Sequence, residues 1–126
     1  MRAKLKQIHS PDVPDLRKYQ PDDPNNFSFL LELSVGPRDD ETEDIFAVVV
    51  CTPEWLRERS ERTDITIGRH HLIVFEYDHD RLIDFLERYI SECSGETWLE
   101  IAQKLNRLAK WEFEDFRQAR IEIGLS

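Results

Sequence analysis

Along the chain the spacing of apolar positions changes from two in the first half to three and four in the second. Phe27, Phe29, Leu31, Leu33 and Val35 alternate with Ser28, Glu32 and Ser34 among others, the signature of a strand with one buried face. A β-branched run, IFAVVVC at residues 45–51, follows the polar stretch RDDETED, and the two runs predict a hairpin. Near the start, Ala3 and Leu5 alternate with Lys4 and Lys6, which predicts a half-exposed strand close to a sheet edge. Leu72, Ile73, Val74 and Phe75 form a short apolar run, expected to be a strand covered on both faces or placed at the sheet's centre, with Ile65 and Ile67 alternating ahead of it.

Beyond that run the pattern becomes helical. Leu82, Ile83, Leu86, Tyr89, Ile90 and Cys93 make one stripe, with Asp80, Asp84, Glu87, Arg88 and Glu92 on the other side. Asp78 is placed to cap the first turn, and Gly95 to supply a left-handed stop. Thr97 and Glu100 have capping-box spacing ahead of Trp98, Ile101, Ala102, Leu105, Leu108 and Ala109, which predicts a second helix. Thr52, Pro53 and Glu54 read as the cap, first-turn proline and dipole-facing carboxylate of a short helix to about residue 60, anchored by Trp55 and Leu56. The expected fold class is α+β: an antiparallel or mixed β-sheet of about four strands packed against two long C-terminal helices, plus one short helix. Pro11, Pro14, Pro21 and Pro24 exclude regular structure from residues 10–26, a connection that is either mobile or pinned by Leu16 and Tyr19.

At 126 residues and 40% hydrophobic, the chain has enough apolar surface for one core, so a single domain over residues 1–126 is expected. Its apolar runs all fall short of the roughly 20 residues that span a bilayer, and the opening MRAKLKQIHS lacks the apolar centre of a secretion signal. A cytoplasmic protein with no membrane partner is expected. The formal charge of −9, from 26 acids and 17 bases, disfavours nucleic acid and favours a basic protein partner. Cys51 and Cys93 each sit in an apolar pattern that suits a packed free thiol as well as a bridge.

Chemical motifs are sparse. The sequence contains no glycine-rich phosphate loop, CxxC pair, HExxH helix or GxSxG elbow, and its serines have no recognisably spaced base. His70 and His71 are adjacent in an expected strand, where side chains point to opposite faces and cannot share a metal. His79, between Asp78 and Asp80, belongs to a polar turn that caps a helix as readily as it forms an imidazole and carboxylate cluster. No catalytic residue, metal or cofactor is therefore expected. The competing classes are a small metal-dependent enzyme using His70, Asp78 and His79, and a structural module that dimerises through a sheet edge.

Two acidic regions stand out. One is the hairpin tip with Asp39, Asp40, Glu41, Glu43 and Asp44; the other alternates rings and acids through Trp111, Glu112, Phe113, Glu114, Asp115 and Phe116. The tip fits a solvated turn that protects a strand edge as well as a charged recognition surface, and the rings fit core packing as well as an interface. Arg57, Arg59 and Arg62, mixed with Glu58 and Glu61, read as a solvated helix face without interleaved rings for base stacking.

The order of landmarks carries more than any one of them. IHSPDV, QPDDPNNFSFLLEL, VVVCTPEWL, IGRHHLIVFEYD, CSGETWLEIAQKL and KWEFEDF, spread over residues 8–116, together resemble bacterial immunity protein family 8. The resemblance implies a protein encoded beside a toxin of a polymorphic or contact-dependent inhibition system, which binds the cognate toxin's C-terminal domain inside the producing or kin cell and neutralises it. It brings no contact residues of its own. With a protein partner implied, the candidate toxin-binding residues are those of the two acidic regions: Asp39, Asp40, Glu41, Glu43 and Asp44, then Trp111, Glu112, Glu114 and Asp115. The oligomeric state is left open by the sequence.

Overall fold

The clearest alternation in the sequence becomes the longest strand. The computed structural model describes residues 1–59 and 64–114, in the order β1 (Ala3–His9), β2 (Ser28–Pro37), β3 (Asp44–Cys51), α1 (Pro53–Arg59), β4 (His71–Ile73), α2 (His79–Ser91), α3 (Trp98–Leu105) and β5 (Lys110–Trp111). The class is mixed α+β, with a five-stranded sheet and three helices among the described residues. β1, β2 and β3 are antiparallel neighbours, and the far edge of β3 is shared between two short strands. β4 runs parallel to residues Val49, Val50 and Cys51, while β5 runs antiparallel to Phe46 and Ala47.

Register places the core. Phe29, Leu31 and Leu33 stand opposite Val50, Val48 and Phe46, and directly opposed residues share a sheet face. Those six are buried together with Leu82, Leu86 and Ile90 of α2 and Ile101, Ala102 and Leu105 of α3. Each large side chain fully buried there contributes about 1.5–3 kcal/mol relative to exposure, so the union of one sheet face with two helical stripes is the main source of stability. On the other face Leu30, Glu32 and Ser34 oppose Val49, Ala47 and Ile45, mostly half-buried. The proline-rich connection is pinned: the Tyr19 ring meets Phe29 at 5.3 Å and Tyr77 at 4.9 Å, and the Tyr77 hydroxyl donates to the Leu16 carbonyl.

Caps fall where the sequence puts them. Asp78 accepts from the Arg81 amide at 3.1 Å, and the Thr97 hydroxyl from the Glu100 amide at 3.2 Å. Thr52 does the same for α1, taking the Trp55 amide at 3.4 Å and the Phe27 amide at 3.2 Å. At Gly36 a Cβ would lie 1.8 Å from the Thr42 carbonyl oxygen, so no larger residue fits where the hairpin closes.

Four expectations need correction. β4 is a three-residue edge strand, not a central one, and Ile65 and Ile67 lie outside any strand at 80% and 81% exposure. Asp64 and His70 adopt positive φ of 56° and 61°, which breaks the extended path on either side of that segment. α3 is short, at eight residues, because Asn106 caps it and its side chain accepts the Trp111 amide at 2.8 Å, turning the chain back into β5. Leu108 and Ala109 thus lie in that turn rather than on a long helix. Gly95 takes no left-handed conformation: α2 ends at Glu92 in right-handed geometry, and the Gly95 amide donates to the Met1 carbonyl at 3.2 Å.

Candidate functional site

The hairpin tip is ordered by its own backbone. The Asp40 carboxylate accepts the Thr42 amide at 2.8 Å, and the Lys6 ammonium donates to the Thr42 carbonyl at 2.9 Å and to that of Asp40. The Thr42 amide and then its hydroxyl, with lesser help from Lys6 and the Glu41 amide, hold the Asp40 carboxyl below the usual aspartate range, partly opposed by desolvation. Asp39, Asp40, Glu41 and Glu43 all face solvent, so the tip presents a fixed cluster of negative charge.

Asp44 has a different environment. Its Oδ2 accepts two indole N–H groups, from Trp98 at 2.8 Å and Trp111 at 3.0 Å, so one half-buried carboxylate ties β3 to α3 and β5. Beyond Trp111, Glu112 continues the ladder, its amide donating to the Ile45 carbonyl and its Oε1 accepting the Ile45 amide, both at 3.0 Å. The Glu114 Oε1 accepts from the Asn106 side chain at 2.9 Å and from the Arg69 guanidinium. The Asn106 hydrogen bond, with the charges of Arg69 and His70, holds the Glu114 carboxyl below the usual glutamate range, partly opposed by desolvation. Trp111 is 9% exposed and meets Phe113 edge-on at 5.7 Å. Asp115 and Phe116 lie outside the described residues, as do Ser60, Glu61 and Arg62.

The two acidic regions, separate in sequence, are therefore joined through Asp44. Its neighbours Trp111, Glu112 and Glu114 are engaged within the fold, while Asp39, Asp40, Glu41 and Glu43 project from it.

The histidines are held apart by separate partners. The His70 Nε2 meets the Asn106 carbonyl at 2.7 Å, the His71 ring meets the Arg69 carbonyl at 2.9 Å, and the His79 Nδ1 pairs with Asp80 at 2.9 Å. His70 precedes the strand rather than lying in it. Among the described residues no group of three or more His, Cys, Asp or Glu side chains is arranged to hold a metal ion. Cys51 and Cys93 are free and buried, and burial pushes both thiols up. Among the described residues no helix is long and apolar enough to cross a membrane.

One surface escapes the sequence reading. Between β4 and the start of α2 lies an open groove of ≈ 450 Å³ to which Ile73, Phe75 and Phe85 contribute. They are 47%, 79% and 47% exposed, so large apolar side chains face solvent in one place. The signal was faint: Phe85 lies about 60° from Leu82 at 100° per residue, at the margin of the buried stripe. The letters from Leu72 to Phe75 predict strand interior, whereas the strand stops at Ile73.

Compared with known proteins, residues 3–116 match the model of the family described as Immunity protein 8. No curated protein and no solved structure gave a match.

Proposed function

The chain belongs to the immunity protein 8 family, and from that premise we propose that it binds and neutralises a cognate bacterial toxin domain by stoichiometric protein contact, without turnover of its own. The observation that carries this reading is the reach of the match, which covers every helix and strand of the described fold. The site of action is the cytoplasm of the producing or kin cell, and the partner is the C-terminal toxin domain encoded beside this chain.

Charge supports the reading and suggests the kind of toxin. A nuclease holds phosphate in a basic cleft, and a protein of net charge −9 is drawn to such a cleft from a distance. Asp39, Asp40, Glu41 and Glu43 supply that attraction at an ordered tip, where exposed charge acts mainly on the rate of association. Trp111 and Glu112 act from behind by holding β5 and the base of the tip in place, while Glu114 ties the end of α3 at Asn106 to Arg69, with Asp115 next in the chain.

Isothermal calorimetry of the purified chain with the toxin domain tests this. One-to-one binding that weakens as salt rises is expected, and heats no larger than dilution at micromolar concentrations would refute it. Metal-dependent turnover lost in His70→Ala or His79→Ala would point to the small-enzyme reading instead.

A further inference from the structure

We infer that the groove between β4 and α2 is the docking surface for that toxin domain, and that it receives an apolar or aromatic side chain carried on a positively charged surface. The inference rests on the toxin-binding reading and adds where contact is made. α2 carries two stripes. Leu82, Leu86 and Ile90 face the sheet, while Arg81, Phe85 and Tyr89, spaced by four, run along a second line on which Arg81 and Phe85 are exposed and Tyr89 is half-buried against the core. Phe85 and Tyr89 stack with centroids 6.2 Å apart, which continues the apolar floor from Phe75 and Ile73 along the helix. A second groove of ≈ 380 Å³ adjoins the first, sharing Arg81 and Phe85 and reaching Glu92. Two open, joined grooves along about three helical turns suit a polypeptide surface; a small ligand would need enclosure on most sides.

Charge decides which polypeptide. Glu76, Asp78, Asp84 and Glu92 line these grooves against Arg81 and Arg88. Both arginines are already engaged: Arg81 with Glu76 at 3.5 Å and Asp78 at 3.7 Å, and Arg88 with Asp84 at 3.1 Å. The rim is left net negative around exposed rings, the mixture of ring anchor and polar border found at interface centres. A second copy would set one acidic rim against another, at a cost that opposite charge on a basic toxin avoids. The half-buried outer face of the sheet is a weaker candidate, because Glu32 interrupts Leu30, Val49 and Ala47.

The grooves also divide the work with the hairpin tip. The tip carries charge without rings and attracts from a distance, whereas rings beside acids keep a complex together once formed.

Surface plasmon resonance with the toxin domain encoded beside this chain, using Phe75→Ala and Phe85→Ala, decides the matter. Both side chains are exposed enough for alanine to leave thermal unfolding unchanged, which circular dichroism checks. Each substitution is expected to speed dissociation at least about tenfold while association changes little. If the wild-type chain binds the toxin domain and both variants dissociate at its rate, the docking surface is elsewhere and the toxin-binding reading stands. If the wild-type chain fails to bind, that reading falls and this inference with it. A wild-type dimer that either substitution converts to monomer would assign the groove to a second copy and overturn the proposal.

Discussion

Replacing Asp44 by alanine removes the one acceptor shared by two indoles, Trp98 at 2.8 Å and Trp111 at 3.0 Å. Hydrogen bonds to a charged acceptor contribute about 1.5–3 kcal/mol each, and loss of the acceptor leaves both donors to find water in partly closed surroundings. Asp44 and Trp98 are half-buried and Trp111 is 9% exposed, so water reaches one indole more easily than the other. Two such bonds come to about 3–6 kcal/mol, and the loss expected is near the lower end, about 3–4 kcal/mol, against about 5–15 kcal/mol for a whole domain. Asp44→Asn keeps an acceptor oxygen without the charge and should lose about half as much. Urea unfolding followed by circular dichroism gives the free energies, and indole fluorescence reports the local change. Asp39→Ala, at the exposed tip, should stay within about 0.5 kcal/mol of wild type. An Asp44→Ala protein equally close to wild type would refute the idea that this carboxylate holds the sheet to α3 and β5.

Three further outcomes are expected. Neutralising Asp39, Glu41 and Glu43 together, with Asp40 kept because it orders the turn, should slow association with the toxin domain and flatten its salt dependence, since exposed charges act over about 8 Å at physiological ionic strength; stopped-flow rates unchanged at two salt concentrations would contradict it. Glu114 has a folded carboxyl held below its ordinary value, so its contribution to stability is present above about pH 4.3 and is lost as pH falls from there through the folded value. Acid titrations of wild type and Glu114→Gln should therefore converge over that range, and a gap that stays constant would show that the Asn106 and Arg69 contacts matter little. Cys51 and Cys93, buried with thiols pushed up, should react with a disulfide reagent only as fast as the protein unfolds, and prompt labelling of either in native buffer would contradict the packing.

Local rules read well wherever a signal was short in range. The alternation from Phe27 to Val35, the caps at Asp78 and Thr97 and the edge position of β1 all follow from neighbouring residues and appear as expected. Several letters that suggested the family are such local locks. In IHSPDV the Ser10 hydroxyl oxygen accepts the Asp12 and Val13 amides, both at 3.2 Å, and Asp12 takes the Leu30 amide at 2.7 Å beyond the end of the β1 and β2 ladder. Thr52 in CTPEWL joins the start of β2 to the cap of α1. What stayed hidden depends on contacts far apart in sequence. Nothing near Asp44 reveals that Trp98 and Trp111 converge on it, so by sequence alone this carboxylate of the fold is indistinguishable from those of the tip. β5 was likewise invisible, because two residues become a strand only when Asn106 turns the chain and Phe46 and Ala47 receive it. Phe75 and Phe85 illustrate the reverse case: an apolar residue reads as core from sequence, and only packing shows which ones the core leaves out.

Neutralisation by stoichiometric contact is tested most directly by titrating the activity of the neighbouring toxin domain with this chain, at toxin concentrations well above the dissociation constant. Activity should fall linearly and reach its floor at one equivalent, with no further dependence on time of incubation. Full activity in the presence of excess chain, or loss of activity at a small fraction of an equivalent that grows with time, would contradict it.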